Sequence, residues 1–173
     1  MYFFTADEHY AHSNIIKYCD RPFKYIDEMD AALIRNHNEV VRGEDTTIHA
    51  GDFCFTKDFD TVQRKYIDKL NGAHIFLVGS HDYWLKGKNY NQIYEKRIDK
   101  QLVVVCHYAM RVWPASHYNS WLLYGHSHGN LAPMGKQHDV GVDNNNFYPV
   151  SFDCIRETMR NRPDNAGLIK GKR

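Results

Sequence analysis

Five short apolar runs, MYFFTA, TTIHAGDF, HIFLVG, LVVVCH and SWLLYG, each stop at a carboxylate or an imidazole. The endings are Asp7 with His9, Asp52, His81 with Asp82, His107, and finally His126 with His128; none is Lys or Arg. Helical patterns separate several of the runs. Short strands alternating with helices imply an α/β domain in which helices cover a sheet. In open α/β sheets ligands sit beyond the carboxyl ends of the strands, so five polar endings of this kind can meet at one place.

The rest of the chain fits that plan. YIDEMDAALIRNHNEVV, residues 25–41, sets Ile26, Met29, Leu33, His37 and Val40 at helical spacing. FDTVQRKYIDKLNG, residues 59–72, reads as a helix stopped by Asn71-Gly72. HDVGVD and FYPVSF read as further strands, and DCIRETMRNR as a closing helix started by Asp153. No repeat or Pro/Gly/Ser linker interrupts the chain, so residues 1–173 are expected to form a single domain with a tail frayed from about residue 165.

Composition narrows the function. The chain has 173 residues, 25% of them charged, and a formal net charge of +1. Sequence-independent binding to long nucleic acid rests on clustered Lys and Arg, and that signal is missing. No apolar run approaches the roughly 20 residues of a membrane span. The opening MYFF meets Asp7 and Glu8 at once, unlike a secretory core. Cys19, Cys54, Cys106 and Cys154 are scattered without a CxxC, which predicts reduced thiols in a cytoplasmic protein. Histidine, at 11 residues, is the unusual component.

Mixed His and Asp donors without Cys suit manganese, zinc, iron or nickel. The donors are too many for one tetrahedral ion, which takes about four. Two ions sharing a bridging carboxylate fit better. In WLLYGHSHGN, residues 121–130, His126 and His128 stand two apart; on an extended segment they would face the same side, with the glycines letting the backbone come close.

The ordered blocks DEH, GD, GSHD, H and GHSH, spanning residues 7–128, resemble the calcineurin-like metallophosphoesterases, whose pattern runs DxH, GD, GNH with an acid, H and GHxH. The HxHxDH of metallo-β-lactamases does not fit. The resemblance implies a four-layer α/β/β/α sandwich, two mixed sheets packed face to face with helices outside. It also implies that Asp7, His9 and His128 hold one divalent ion and that Asp52 bridges to a second. His107, His126 and position 80 would complete that second site. Manganese is the first expectation. Such a pair would lower the pKa of a bridging water, whose hydroxide attacks phosphorus. His81, free of ligand duty, becomes the candidate acid for the leaving group, with Asp82 orienting it or capping a helix.

Ser80 departs from the pattern, standing where the family has Asn. Its hydroxyl reaches one atom less far than an amide oxygen, so the second ion should be held weakly or through water. Two readings follow. One is a binuclear phosphoesterase acting on a small phosphodiester or phosphomonoester, a nucleotide among the candidates. The other is a catalytically weak metal-binding protein that holds a phosphorylated ligand or partner. YAHSN, residues 10–14, and the aromatics Tyr108, Trp113, Tyr118 and Trp121 with Arg111 are candidate pocket residues, or packing of a long loop. His12, His37, His49, His74, His117 and His138 read as structural or surface residues.

Overall fold

The structure, a computed structural model, describes residues 1–88 and 90–168. In chain order the elements are β1 (Tyr2–Thr5), α1 (Ile15–Tyr18), α2 (Ile26–Val40), β2 (Thr46–His49), α3 (Phe59–Lys65), β3 (Ala73–Phe76), β4 (Ile93–Ile98), β5 (Gln101–Cys106), β6 (Trp121–Tyr124), β7 (Gln137–Asp139), β8 (Val150–Ser151) and α4 (Phe152–Arg160), with short 3-10 turns between them. The strands form two sheets of four, in the orders β3-β2-β1-β8 and β4-β5-β6-β7. Both are mixed. β1, β2 and β3 run parallel with β8 antiparallel at one edge, and β5, β6 and β7 run parallel with β4 antiparallel at another.

The inner faces of the two sheets share one core. Phe4, Ile48 and Leu77 from the first meet Val103, Val105, Trp121 and Leu123 from the second, and Phe152, Ile155 and Met159 of α4 join them. A second core lies under α2 and α3, around Met29, Leu33, Phe53, Val62 and Trp84. The outer face of the second sheet is covered differently. Val104, Leu122 and Tyr124 lie under Trp113 and Leu168, which come from connecting segments and 3-10 turns. Each fully buried apolar side chain contributes roughly 1.5–3 kcal/mol. Among the described residues no helix is long and apolar enough to cross a membrane.

Four local expectations are corrected. The sequence reading has no strand at β4, because IYEKRI alternates exposed with half-buried positions and carries three charges, as an edge strand does. Its hairpin turns through Asp99 and Lys100, both at positive φ (47° and 69°), without the Asn-Gly that advertises such a turn. The helix expected over 59–72 ends early at Tyr66, whose hydroxyl donates to Asp30 Oδ2 at 2.9 Å, and a 3-10 turn follows. The cap of α4 is Ser151, which accepts from the Cys154 amide, rather than Asp153. The tail is tied down beyond residue 165. The Asn165 side chain donates to Ser116 O and Ser120 O at 2.9 and 3.0 Å, and Leu168 is buried. The rest of the expected fraying, residues 169–173, lies outside the described residues.

Candidate metal centre

Because β1, β2 and β3 run parallel in one sheet and β5 and β6 in the other, their carboxyl ends deliver side chains from both sheets to one seam. The first sheet supplies Asp7, His9, Asp52, Ser80 and His81, and the second supplies His107, His126 and His128. Backbone bonds stitch the endings together: Asp7 N–H donates to Gly51 O and His9 N–H to Asp52 O, both at 3.0 Å. The His126 amide crosses between sheets to the Asp7 carboxylate at 2.9 Å.

Two groups of donor atoms result. Asp7, His9 and His128 form one, Asp52, His107 and His126 the other, each with its donors within 4.8 Å of one another. Asp52 Oδ2 sits 3.6 Å from His9 Nε2 and 3.4 Å from His107 Nε2, between the groups. Both of those nitrogens are buried and lack a hydrogen-bond partner. Buried polar atoms are normally satisfied, so two orphans beside one buried carboxylate are donor atoms that a cation could use.

The imidazoles are held from behind. His107 Nδ1–H donates to Ala50 O at 3.0 Å, which leaves Nε2 as the free donor atom. His128 Nδ1–H donates to Asp143 Oδ2 at 2.6 Å. Asp143 in turn accepts from Arg21 at 2.7 and 2.8 Å, while Arg21 also donates to Asp7 O and Glu8 O. Cys19, His128 and Asp143 also stand close enough to form a third donor group, but Asp143 is already engaged by Arg21. His9 Nδ1 lies 3.4 Å from His12 Nδ1.

Electrostatics follows from burial. Burial raises the Asp7 carboxyl to about 7, against the pull of His128, His107 and the His126 amide. Burial also pushes Asp52 upward, but the nearby His107 imidazole, the His81 amide and the His9 ring outweigh it and hold that carboxyl below its ordinary range. A divalent cation would relieve the desolvation cost of both. The donor set, imidazoles with carboxylates, suits manganese, zinc, iron or nickel.

Backbone strain gathers at the same place. Asp7, His9, Asp52, His126 and His128 all have positive φ, between 46° and 66°. Left-handed geometry costs a non-glycine residue about 1–2 kcal/mol, so a handful of core side chains offsets all five. The reading of His126 and His128 as neighbours on an extended segment is therefore corrected. The loop curls instead, and the two rings still reach the two different groups that the resemblance implies. Close approach also needs glycine: a Cβ on Gly79 would lie 2.2 Å from Asp52 Oδ1, and one on Gly125 2.7 Å from Asp7 Oδ2.

Asp82 does not orient His81. Its buried carboxylate accepts from the amides of Asp52 (2.7 Å), Phe53 (2.9 Å) and Gly79 (2.8 Å) and from the Trp84 indole (2.9 Å), so it fixes the loop that carries Asp52. His81 donates its own amide to Asp52 Oδ1 at 2.8 Å, and its Nδ1 is buried without a partner. Ser80 is exposed, and its hydroxyl donates to Asp52 Oδ2 at 3.0 Å.

Of the candidate pocket aromatics only Tyr108 lies at the cluster, 4.7 Å ring to ring from His126. Trp113 and Trp121 are buried in cores, Tyr118 packs on His117, and Arg111 contacts Met134 Sδ. Tyr10 is buried against Tyr66 and Phe53. Sequence reasoning misses Arg21, Asp139 and Asp143. Asp139 accepts from Ser127 Oγ at 2.6 Å and the Gly129 amide at 3.0 Å and so holds the His126–His128 loop. The two acids flank the loop after β7 in HDVGVD, a segment that reads only as a strand.

Fold and cluster together define a two-sheet α/β protein with a His/Asp centre at its strand ends. No family model matches the chain. Over 160 residues it is 32% identical to the uncharacterized protein MJ1445 of Methanocaldococcus jannaschii, covering 88% of each, and the chain belongs to the same family as that protein. The crystal structure of AQ665, a protein of unknown function from Aquifex aeolicus, has the same fold, with a TM-score of 0.70 at 22% identity over 91% of this chain and 98% of that one. A conserved uncharacterized protein from Streptococcus pneumoniae, a predicted phosphoesterase, superposes more loosely, at a TM-score of 0.45 and 13% identity over 81% and 70% of the two chains.

Proposed function

We propose that the protein is a metal-dependent phosphoesterase of the calcineurin-like kind, hydrolysing a small phosphodiester or phosphomonoester. The observation that carries this is the pair of donor groups joined by Asp52, with His9 Nε2 and His107 Nε2 unpartnered beside it. Asp7, His9 and His128 would hold one divalent cation, and His107 and His126 a second, with Asp52 between and Ser80 at its edge. Manganese is the first candidate. When bound, the ions supply a hydroxide nucleophile near neutral pH and offset charge building on the phosphoryl oxygens.

The chain's own groups do the rest. Asp143 and the Ala50 carbonyl keep His128 and His107 in the tautomers that free their Nε2 atoms. Asp82 and Asp139 hold the loops so that neither group must be organised at the moment of reaction. His81 stands beside Asp52 and donates the proton that the leaving oxygen needs.

A second reading, a metal-binding protein of little turnover that holds a phosphorylated ligand, is favoured by one feature. The Ser80 hydroxyl, one atom shorter in reach than an amide oxygen, donates to Asp52 Oδ2 at 3.0 Å. Hydrolysis of bis(4-nitrophenyl) phosphate with added Mn²⁺, alongside metal analysis, separates the readings. Metal uptake with turnover supports the first, and uptake without turnover the second. Failure to take up any metal in excess Mn²⁺ sinks both.

A further inference from the structure

Two aromatic side chains lie beside the donor groups without belonging to any core. Phe55 is 39% exposed, and its ring lies flat on His12, 4.3 Å away at 8°, and 5.6 Å from His81. The rings of His12 and His81 lie 5.3 and 5.4 Å from that of His9, so Phe55 flanks the Asp7–His9–His128 side. Tyr108 is 47% exposed, with its ring 4.8 Å from His107 and 4.7 Å from His126, so it flanks the Asp52–His107–His126 side. Each ring is partly open to solvent beside the donor groups, where a planar group could pack on it.

The charges point the same way. Among the described residues Arg21 is the one Lys or Arg that bonds to the cluster, and it is buried and committed to Asp143 and two carbonyls. A phosphomonoester carries about −1.5 to −2 charges near neutrality and is usually clamped by Arg or Lys. A diester carries one charge fewer or nearly so, and has a substituent on each side of phosphorus.

We propose that the substrate is a phosphodiester bearing a planar group on both arms, as a dinucleotide does, with one arm on Phe55 and the other on Tyr108. This rests on the phosphoesterase reading. In the reaction a water oxygen bonds to phosphorus and one ester P–O bond breaks. The departing oxygen takes a proton, which leaves an alcohol and a monoester.

The test uses the full chain with Mn²⁺ and three substrates sharing a nitrophenolate leaving group: thymidine 5′-(4-nitrophenyl) phosphate, methyl 4-nitrophenyl phosphate and 4-nitrophenyl phosphate. Base stacking predicts that the nucleoside diester exceeds the methyl diester in kcat/KM by about 5-fold or more. The monoester should be the poorest. One of the variants Phe55→Ala and Tyr108→Ala should collapse the nucleoside-to-methyl ratio. The other should raise KM for both diesters, because the nitrophenyl arm occupies its shelf. Calorimetric titration with a dinucleoside phosphorothioate keeps the two readings apart. Binding weakened by both variants, without turnover of any ester, would sink the phosphoesterase reading and leave the two-shelf site standing. A monoester preferred over both diesters, or variants that change neither ratio nor binding, would overturn the proposal.

Discussion

The molecule has two histidine clusters with one carboxylate-bearing segment, DEH, between them. Asp7 and His9 face the seam of the sheets, where His107, His126 and His128 gather. Glu8, between them in sequence, faces the other way, toward α2. There Glu8 Oε1 lies 2.6 Å from His49 Nδ1, and His49 Nε2 lies 3.1 Å from His74 Nδ1. His37 packs beside both rings and bonds to Asn71 O at 3.0 Å. The residue types match, yet the clusters differ physically. His49 uses both ring nitrogens on protein partners and sits in regular strand geometry, although Glu8 Oε2 and His74 Nε2 are buried there without partners; the seam leaves Nε2 of His9 and His107 unpartnered beside one carboxylate and sets five residues at positive φ. Orphaned atoms occur in both clusters, so what sets the seam apart is that its donors converge in two groups around Asp7 and Asp52 on strained backbone. That difference lies in geometry, which residue identity does not carry.

The largest effects should come from exchanging the two roles. Replacing His49 by Ala removes a fully buried ring and strands Glu8 and His74. The cost should be about 2–4 kcal/mol, read as a lower urea midpoint, with little change in metal bound per folded chain. His107→Ala removes a ring that is also buried, with its bond to Ala50, so its stability cost should be of similar order. It should differ in metal: on the proposed reading the second ion's affinity and the hydrolytic rate should fall about 100-fold. Equal metal uptake by the two variants would erase the distinction between the clusters.

Acidification should act on the structural cluster and, in the same direction, on His9 of the seam, which burial also lowers to about 3. Burial lowers His37 and His49 from 6.5 to about 3 and His74 to about 4. As pH falls below 6.5 the unfolded chain therefore binds protons that the folded chain refuses, and stability falls. Burial also raises Glu8, to about 8, which acts in the opposite sense, since the folded chain keeps a proton there that the unfolded chain releases above 4.5. Three histidines outweigh one glutamate. A loss of a few kcal/mol is expected between pH 6.5 and 4.5; the stability is present above 6.5 and is recovered on returning there. Urea titrations at several pH values measure it. His74→Gln should flatten the slope, and an unchanged slope would mean that these rings titrate normally.

How much of this is legible in the sequence follows from the same contrast. The strand endings and their order are visible because His or Asp at the end of every apolar run is a pattern that ordinary turns do not produce, and all seven expected donors lie at the seam. Strand β4 is hidden by its charges and by a hairpin turn through Asp-Lys. Asp82 is misassigned because a neighbour in sequence is taken for a partner in space, whereas its carboxylate bonds mainly to amides some 30 residues away. Arg21, Asp139 and Asp143 support the loops through long-range bonds that leave no local spacing. His12 resembles the other spare histidines in sequence, and only packing sets it against His9.

The smallest expected effect concerns the edge of the seam. Ser80 donates to Asp52 Oδ2 at 3.0 Å, occupying part of the carboxylate that the second ion would need. Ser80→Asn would offer an amide oxygen one atom farther from the backbone and withdraw that hydroxyl. Affinity for the second ion should rise, by about 10-fold given what changes at the immediate support of a metal site commonly do. Hydrolysis should rise with it at limiting Mn²⁺. A first ion, which on the proposed reading Asp7, His9 and His128 would hold, should be unaffected. The gain should fade in excess metal, because mass action fills a weak site. A gap that persists at saturating Mn²⁺ would instead place the effect of residue 80 on phosphate positioning. Coincident Mn²⁺ titration curves for the two proteins would show that residue 80 plays no part in holding the second ion.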